Sequence, residues 1–348
     1  MSTEPNDRQD VSSAVRAREA GRIHVLFVME KWCDGRPEHG LSNAAHNFFG
    51  SLDTTGLARQ SHFSFDEYQL LFGRTGDEAL IAFCGSAAPD ILILTLCRLN
   101  PCPETLHVIR HELGIPIVVL WHDSVDRNNR GIAEQMMAFT DLHVPLDSTT
   151  ACFSNSRHGE KYLPLWTPQD PRIFRDRNLS RDIDLCFVGS IDHYRERRSA
   201  LQALKEAGFP VEQSGGQREK SLTIAEYARY FMRSRIALNF GVSFCGPHRG
   251  DGPYYQAKGR VFEALSCGTM LLEGGDSETR KWLEPMKDYA SFSDEKDLVE
   301  KARYYLVHEE EREMIARSGW RKATELYSAT KFWTRLFSRA FSRKFPSS

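Results

Sequence analysis

The chain has 348 residues, 41% of them hydrophobic and 26% charged, with 45 Lys and Arg against 47 Asp and Glu and a formal net charge of −2. That balance belongs to ordinary globular proteins, and it excludes the global basic field that holds nucleic acid by counterion release, so no nucleic-acid partner is expected. The length exceeds a single core of usual size and predicts two domains, hence a cleft between them.

Residues 1–20, "MSTEPNDRQDVSSAVRAREA", read as a disordered polar tail without the apolar core of a signal peptide. No later stretch approaches the roughly 18–20 apolar residues that span a bilayer. "RIHVLFVME" (22–30) is a continuous β-rich run, the pattern of a strand covered on both faces in a parallel sheet. A Gly/Pro/His loop (33–40) and "LSNAAHNFFGSL" at helical spacing follow. The same alternation continues with "DILILTLC" (90–97), a helix near 104–113, "IPIVVLW" (115–121), a helix near 131–139 and "LHVPL" (142–146). Prolines and polar residues over 161–182 break the pattern and mark a domain junction.

A second series then begins: strand 183–190, helix 195–208, strand "PVEQSG", helix 224–234, strand 235–241, a Gly/Pro loop (242–255), and "KGRVFEALSCGTMLLEGG" as helix then strand. Helices near 277–284, 294–306, 308–326 and 329–342 complete it. The predicted class is α/β, with two doubly wound Rossmann-like domains facing across a cleft. Eight cysteines (33, 84, 97, 102, 152, 186, 245, 267) lie scattered in apolar runs with no C-x-x-C pair. They predict neither zinc nor a disulfide framework, but reduced thiols in a cytoplasmic protein.

In parallel sheets ligands sit beyond the carboxyl ends of the strands, so the residues just after each strand are the candidates. These are the Gly35–Gly40 loop, then His122, Asp123 and Ser124, then Gly189, Ser190, Asp192, His193 and Arg195, and finally Gly274, Gly275 and Asp276. Gly40, ahead of a helix, is a candidate anion contact. No G-x-G-x-x-G or G-K-[ST] fingerprint accompanies it, and a plain turn glycine reads equally well. Arg195, Arg197 and Arg198 open a helix where the macrodipole disfavours cations, which points to an anionic partner such as a diphosphate or to neutralisation by Glu196 and Glu206. On the helix from about Gly259, Arg260 and Glu263 share the side towards the cleft. Glu263 either accepts from paired ribose hydroxyls or pairs with Arg260 three residues away. Asp182-Ile183-Asp184 precedes a strand and reads as a chance D-x-D.

"YLPLWTPQDPRIF", "IDLCFVGSIDHYRERRSAL", "RSRIALNFG", "KGRVFEALSCGTMLLEGG" and "YASFSDEKDLVEKARYYLVHEEEREMIARSGWRKATELYS" resemble, in this order and over most of 161–335, glycosyltransferases of the GT-B fold, group 1 type with a CgeB-like pattern. In the N-terminal half only the layout and "VVLWHDS" match. The resemblance implies an acceptor domain over 21–165, onto which the helix 329–345 packs back, and a nucleotide-sugar donor domain over 170–328. It implies sugar transfer to a glycan, lipid-linked or protein acceptor, retaining, with no metal or other cofactor required. It gives Glu263 the donor ribose as the second glutamate of an E-x7-E pattern. Tyr255 stands where the first glutamate belongs, and Lys258, Arg260 or backbone of 242–255 would take over its contact to the sugar. His122 would face the transferred sugar, and Arg195 would neutralise the leaving diphosphate. A sugar-nucleotide epimerase and a non-catalytic nucleotide-binding module of the same fold are the competing expectations. The basic amphipathic stretch 329–345 also suits peripheral contact with an anionic membrane.

Overall fold

The computed structural model describes residues 22–42, 44–95, 100–121, 135–145, 161–192, 194–215, 222–242 and 255–342. In the first half, β1 (Ile23–Val28) leads through a loop closed by a Trp32–Leu41 bridge into a π-wound segment, Ala45–Gly50, that continues as α1 (Ser51–Asp53). There follow β2 (Ala58–Phe63), α2 (Phe65–Phe72), α3 (Asp77–Ala87), β3 (Ile91–Thr95), α4 (Pro103–His107) with a π turn at Val108–Glu112, β4 (Ile117–Leu120) and β5 (Leu142–Val144). The sheet order is β2-β1-β3-β4-β5, every ladder parallel. The unbroken apolar run of β1 has the expected physical cause. Val25 and Phe27 enter a cluster with Phe48, while Leu26 and Val28 enter another with Leu80 and Leu106, so both faces are covered.

The second half repeats the plan with β6 (Ile183–Val188), α5 (Arg195–Glu206), β7 (Glu212–Ser214), α6 (Ile224–Arg233), β8 (Ser234–Phe240), α7 (Gly259–Ser266), β9 (Met270–Gly274) and β10 (Ala290–Phe292). Its order is β10-β9-β8-β6-β7, again parallel throughout. α8 (Glu295–Val307) and α9 (Glu309–Arg321) follow, and α10 (Ala329–Phe341) ends the described chain. Thr223 and Glu226 form a reciprocal capping box on α6, and Asp294 and Ser328 cap α8 and α10.

α10 reaches back to the first half. Trp333 Nε1 donates to Ser51 Oγ at 3.0 Å, the Trp333 ring meets Phe27 edge-on at 5.8 Å, and Phe332 lies against Phe48 and Trp166. One hydrophobic cluster therefore runs from β1 through Trp166 and α10 to α7. The apolar stripe of α10 (Phe332, Trp333, Leu336, Phe337) is buried in this seam and Phe341 alone of its phenylalanines is exposed, so the face a membrane would need is turned inward. Among the described residues no helix is long and apolar enough to cross a membrane.

The structure corrects several boundaries. β2, "ARQSHF", was not anticipated: it is an edge strand whose side chains are mostly half-buried or exposed, so it lacks the apolar signature. α2, α3 and the three-residue β10 were missed as well. The helix expected near 277–284 is only a 3-10 turn, Thr279–Lys281, because Asp276 ties the segment down by accepting from Arg280 and from the Tyr289 hydroxyl. None of the five described cysteines is in a disulfide.

Candidate functional site

The site builds outward from the carboxyl end of β6. Val188 is followed by Gly189, whose Cα faces the Arg260 guanidinium so closely that a Cβ would stand 2.3 Å from Nη1. Only glycine fits there. Arg260 sits in the first turn of α7 and donates from Nη1 to Val188 O at 3.0 Å and from Nε to Asn239 Oδ1 at 3.0 Å. The expected Arg260–Glu263 pair does not form. A guanidinium is a rigid fork of five donors, and two of them, from Nη1 and Nε, are directed to β6 and β8.

Arg197, in the first turn of α5, comes to the same corner. It is buried, donates to Ser190 O at 2.7 Å, and stacks 3.5 Å over the Tyr194 ring. Both Arg197 and Arg260 lie over the Phe187 ring, at 5.7 and 5.1 Å from its centroid. Burial first, and the Arg260 charge second, pull the Arg197 guanidinium below its usual range. Its Nε is buried without a hydrogen-bond partner. Neither arginine has a carboxylate partner among the described salt bridges, so this corner concentrates positive charge in a poorly hydrated place.

Arg197 also lines a cavity of about 810 Å³ between α5, the ends of β8 to β10 and the start of α8. Arg195, Tyr194, Tyr255, Gly275 and Phe292 are on its walls. Arg195 is the exposed first residue of α5, and Tyr194 offers that helix no side-chain cap, so the first-turn N–H groups and the cationic side chain are presented together. Tyr255 packs closely against Gly275, where a Cβ would stand 2.6 Å from the ring.

Glu263 lies apart from this cavity, in the seam between the halves. It is 5% exposed, Oε1 accepts from Asn47 Nδ2 at 3.2 Å, and Oε2 accepts from the Tyr227 hydroxyl. Burial raises its carboxyl, opposed by those two donors and by Arg260. Burial and then the Glu263 charge push the Tyr227 phenol up. Lys258 stands at the N-cap of the same helix, half-buried.

Of the residues singled out from sequence, Gly189, Ser190, Arg195, Tyr255, Lys258, Arg260 and Glu263 fall at the carboxyl ends of the second sheet or on α7 beside it. Gly40 needs correction as an anion contact: its N–H donates to Pro37 O, its positive φ of 77° closes a 3-10 turn, and Ser42 rather than Gly40 meets the following helical segment by accepting from Ala45 N. Asp182 and Asp184 pair with Arg233 and Arg235 at the opposite end of β6, as befits a chance D-x-D. Asp276 is occupied by Arg280 and Tyr289. His122, Asp123, Ser124 and His193 lie outside the described residues.

Sequence reasoning ranked Arg197 low and missed Asn239 and Glu273. These two are ladder partners on β8 and β9, and Asn239 Nδ2 donates to Glu273 Oε2 at 2.6 Å. The signal was present: each is the single polar residue near the end of an apolar run, "IALNF" and "MLLEG". On a buried parallel strand such a residue requires a partner.

Comparison with known proteins places this geometry. Residues 195–338 match the model of a family described as glycosyl transferase-like, while no curated protein sequence matches the chain. The structure of HepE from Anabaena in complex with UDP and glucose superposes with a TM-score of 0.60 at 11% identity, covering 92% of this chain and 100% of that one. A glycosyltransferase from Rickettsia africae gives 0.61 at 8% identity over 93% and 100%. Sucrose-phosphate synthase from Thermosynechococcus elongatus gives 0.59 at 10% identity over 92% and 100%. The two five-stranded parallel sheets with flanking helices are the GT-B architecture.

Proposed function

We propose that this chain is a glycosyltransferase that takes a sugar from a nucleoside-diphosphate donor and passes it to a glycan, lipid-linked or protein acceptor. The observation that carries the reading is the meeting of Arg197 and Arg260 over Phe187 at the carboxyl end of β6, with Arg195 and Arg197 on the wall of the adjoining cavity. A family match begins at that same helix, in a fold that another protein uses with UDP and glucose bound. The donor diphosphate would lie against Gly189 and Ser190.

The mechanism follows from charge. As the bond from the sugar to the diphosphate breaks, the sugar becomes cation-like and the departing diphosphate gains negative charge. Preorganised guanidiniums in a dry corner stabilise that charge without reorganising. Arg195 and Lys258 would meet the leaving group from α5 and α7, and this is the support for a reaction that needs no metal. His122 would face the transferred sugar. A retaining outcome, and the CgeB-like subtype, rest on the sequence resemblance, and the anomeric configuration of the product tests the former.

Glu263 would hold the ribose hydroxyls. A carboxylate has about four acceptor positions and two of its donors here are protein groups, so the ribose would share it with Tyr227 as Asn47 gives way. Glu263→Ala should weaken nucleoside-diphosphate binding at least about tenfold, the scale of hydrogen bonds to a charged group. Inorganic pyrophosphate, which has no ribose, should bind the variant as it binds the wild type. Equal loss for both would make Glu263 structural.

A thermal-shift screen with uridine, guanosine, adenosine and thymidine diphosphates tests the reading as a whole. A ligand at 100 times its dissociation constant stabilises by about 2.7 kcal/mol. No shift with any of the four would end the proposal. Sugar release from a donor, with and without acceptor, separates the transferase from the epimerase and from a module without turnover.

A further inference from the structure

Behind the arginine corner lies a buried polar chain that none of the roles above uses. Arg260 can only donate, so the Asn239 oxygen must face it and the Asn239 amide nitrogen must face Glu273. This fixes Glu273 Oε2 as an acceptor. Glu273 is fully buried, and its other oxygen, Oε1, has no hydrogen-bond partner. That oxygen lies beside Gly241, where a Cβ would stand 3.1 Å from it and 2.2 Å from Gly275 O. The end of β8 is thus shaped to admit the carboxyl.

We propose that Glu273 and Asn239 are positioning residues for Arg260: through this chain they hold the guanidinium against Gly189, and the proton on Glu273 sets how much of the Arg260 charge is available to a bound diphosphate. This rests on the diphosphate-binding reading above and deepens it.

The chemistry runs in one direction. An ionised Glu273 polarises Asn239 towards Arg260 and partly neutralises the arginine, and a protonated one leaves the full cationic charge to face the ligand. Burial raises this carboxyl to about 8, opposed by the Asn239 hydrogen bond and the Arg260 charge, with Asp276 raising it further and Lys258 lowering it. The Tyr289 phenol, whose own titration is pushed up in part by the Glu273 charge, also faces it among the described residues. An anion placed on Arg260 adds negative charge nearby and favours the protonated form. Binding and protonation are therefore coupled, and each strengthens the other.

The test is calorimetric titration of the full chain with inorganic pyrophosphate at pH 8, in buffers of differing ionisation enthalpy. The wild type should take up a fraction of a proton per site more than a variant that cannot titrate at this position. Glu273→Gln keeps an acceptor for Asn239 but cannot titrate. It should bind pyrophosphate without that uptake and lose the wild-type tightening as pH falls through 8. Asn239→Leu, which cuts the chain, should weaken pyrophosphate at least about tenfold, the scale of a hydrogen bond to a charged group. Should Asn239→Leu not fold, the proton count of Glu273→Gln decides alone. Identical proton uptake in Glu273→Gln and wild type would overturn the inference, as would absence of pyrophosphate binding to the wild type. Failure of all four nucleoside diphosphates in the thermal-shift screen is the separate result that removes the underlying reading.

Discussion

The ends of β1 and β6 occupy corresponding places in their sheets, and their electrostatics are opposite. After β1, Asp66 accepts from the backbone N–H of Lys31 and Trp32, the Lys31 ammonium pairs with Glu67, and the Gly40 N–H closes a turn. After β6, Arg197 and Arg260 converge on one ring and one glycine with no carboxylate paired to either among the described salt bridges. The first corner neutralises itself with its own side chains. In the second, among the described residues, Arg260 reaches a carboxylate only through Asn239 and Arg197 is buried with an unpartnered Nε, an arrangement costly enough to point to a ligand.

The strongest way to break this contrast is to remove a cation from the second corner. Arg260→Ala should weaken nucleoside-diphosphate binding by about a hundredfold, the upper scale for hydrogen bonds to charged groups, read by calorimetry. A variant that binds like the wild type would mean the corner is structural.

A smaller effect is expected in stability against pH. The Glu273 carboxyl is raised from its usual 4.5 to about 8 by burial. Between those values the folded chain keeps a proton that the unfolded chain has released, so the unfolded state binds fewer protons and stability falls as pH rises, levelling off above about 8. Chemical denaturation of the wild type and Glu273→Gln at pH 5 and pH 8 should show a wild-type loss larger by on the order of 3 kcal/mol. Parallel pH profiles would contradict it.

The smallest effect sharpens the contrast from the other side. Lys31→Ala removes a partly exposed ion pair of the first corner. It should cost under about 1 kcal/mol of stability and leave pyrophosphate affinity unchanged.

What sequence could and could not show follows the same physics. β1, β3, β4, β6, β8 and β9 are buried on both faces, so their apolar runs announce them. β2, half-buried at a sheet edge, does not, and α2 hides its periodicity by exposing Leu70, Leu71 and Phe72 on consecutive positions. Arg195 and Arg260 were legible because they follow strands or open helices. The partners that give them meaning were not. Glu263 meets Asn47 across 216 residues, and Arg260 reaches Asn239 across 21 and through it Glu273. A non-local contact leaves no local pattern, and the spacing of Arg260 and Glu263 suggested a pair that β6 and β8 pre-empt.

The most direct test of the central claim is a crystal structure of the chain soaked with the nucleoside diphosphate that stabilises it most. The account predicts diphosphate density against Gly189 and Ser190, within hydrogen-bonding reach of Arg260 and of Arg195 or Arg197. Density for the diphosphate at the β1 loop, or elsewhere with the β6 corner unchanged and unoccupied, would contradict it.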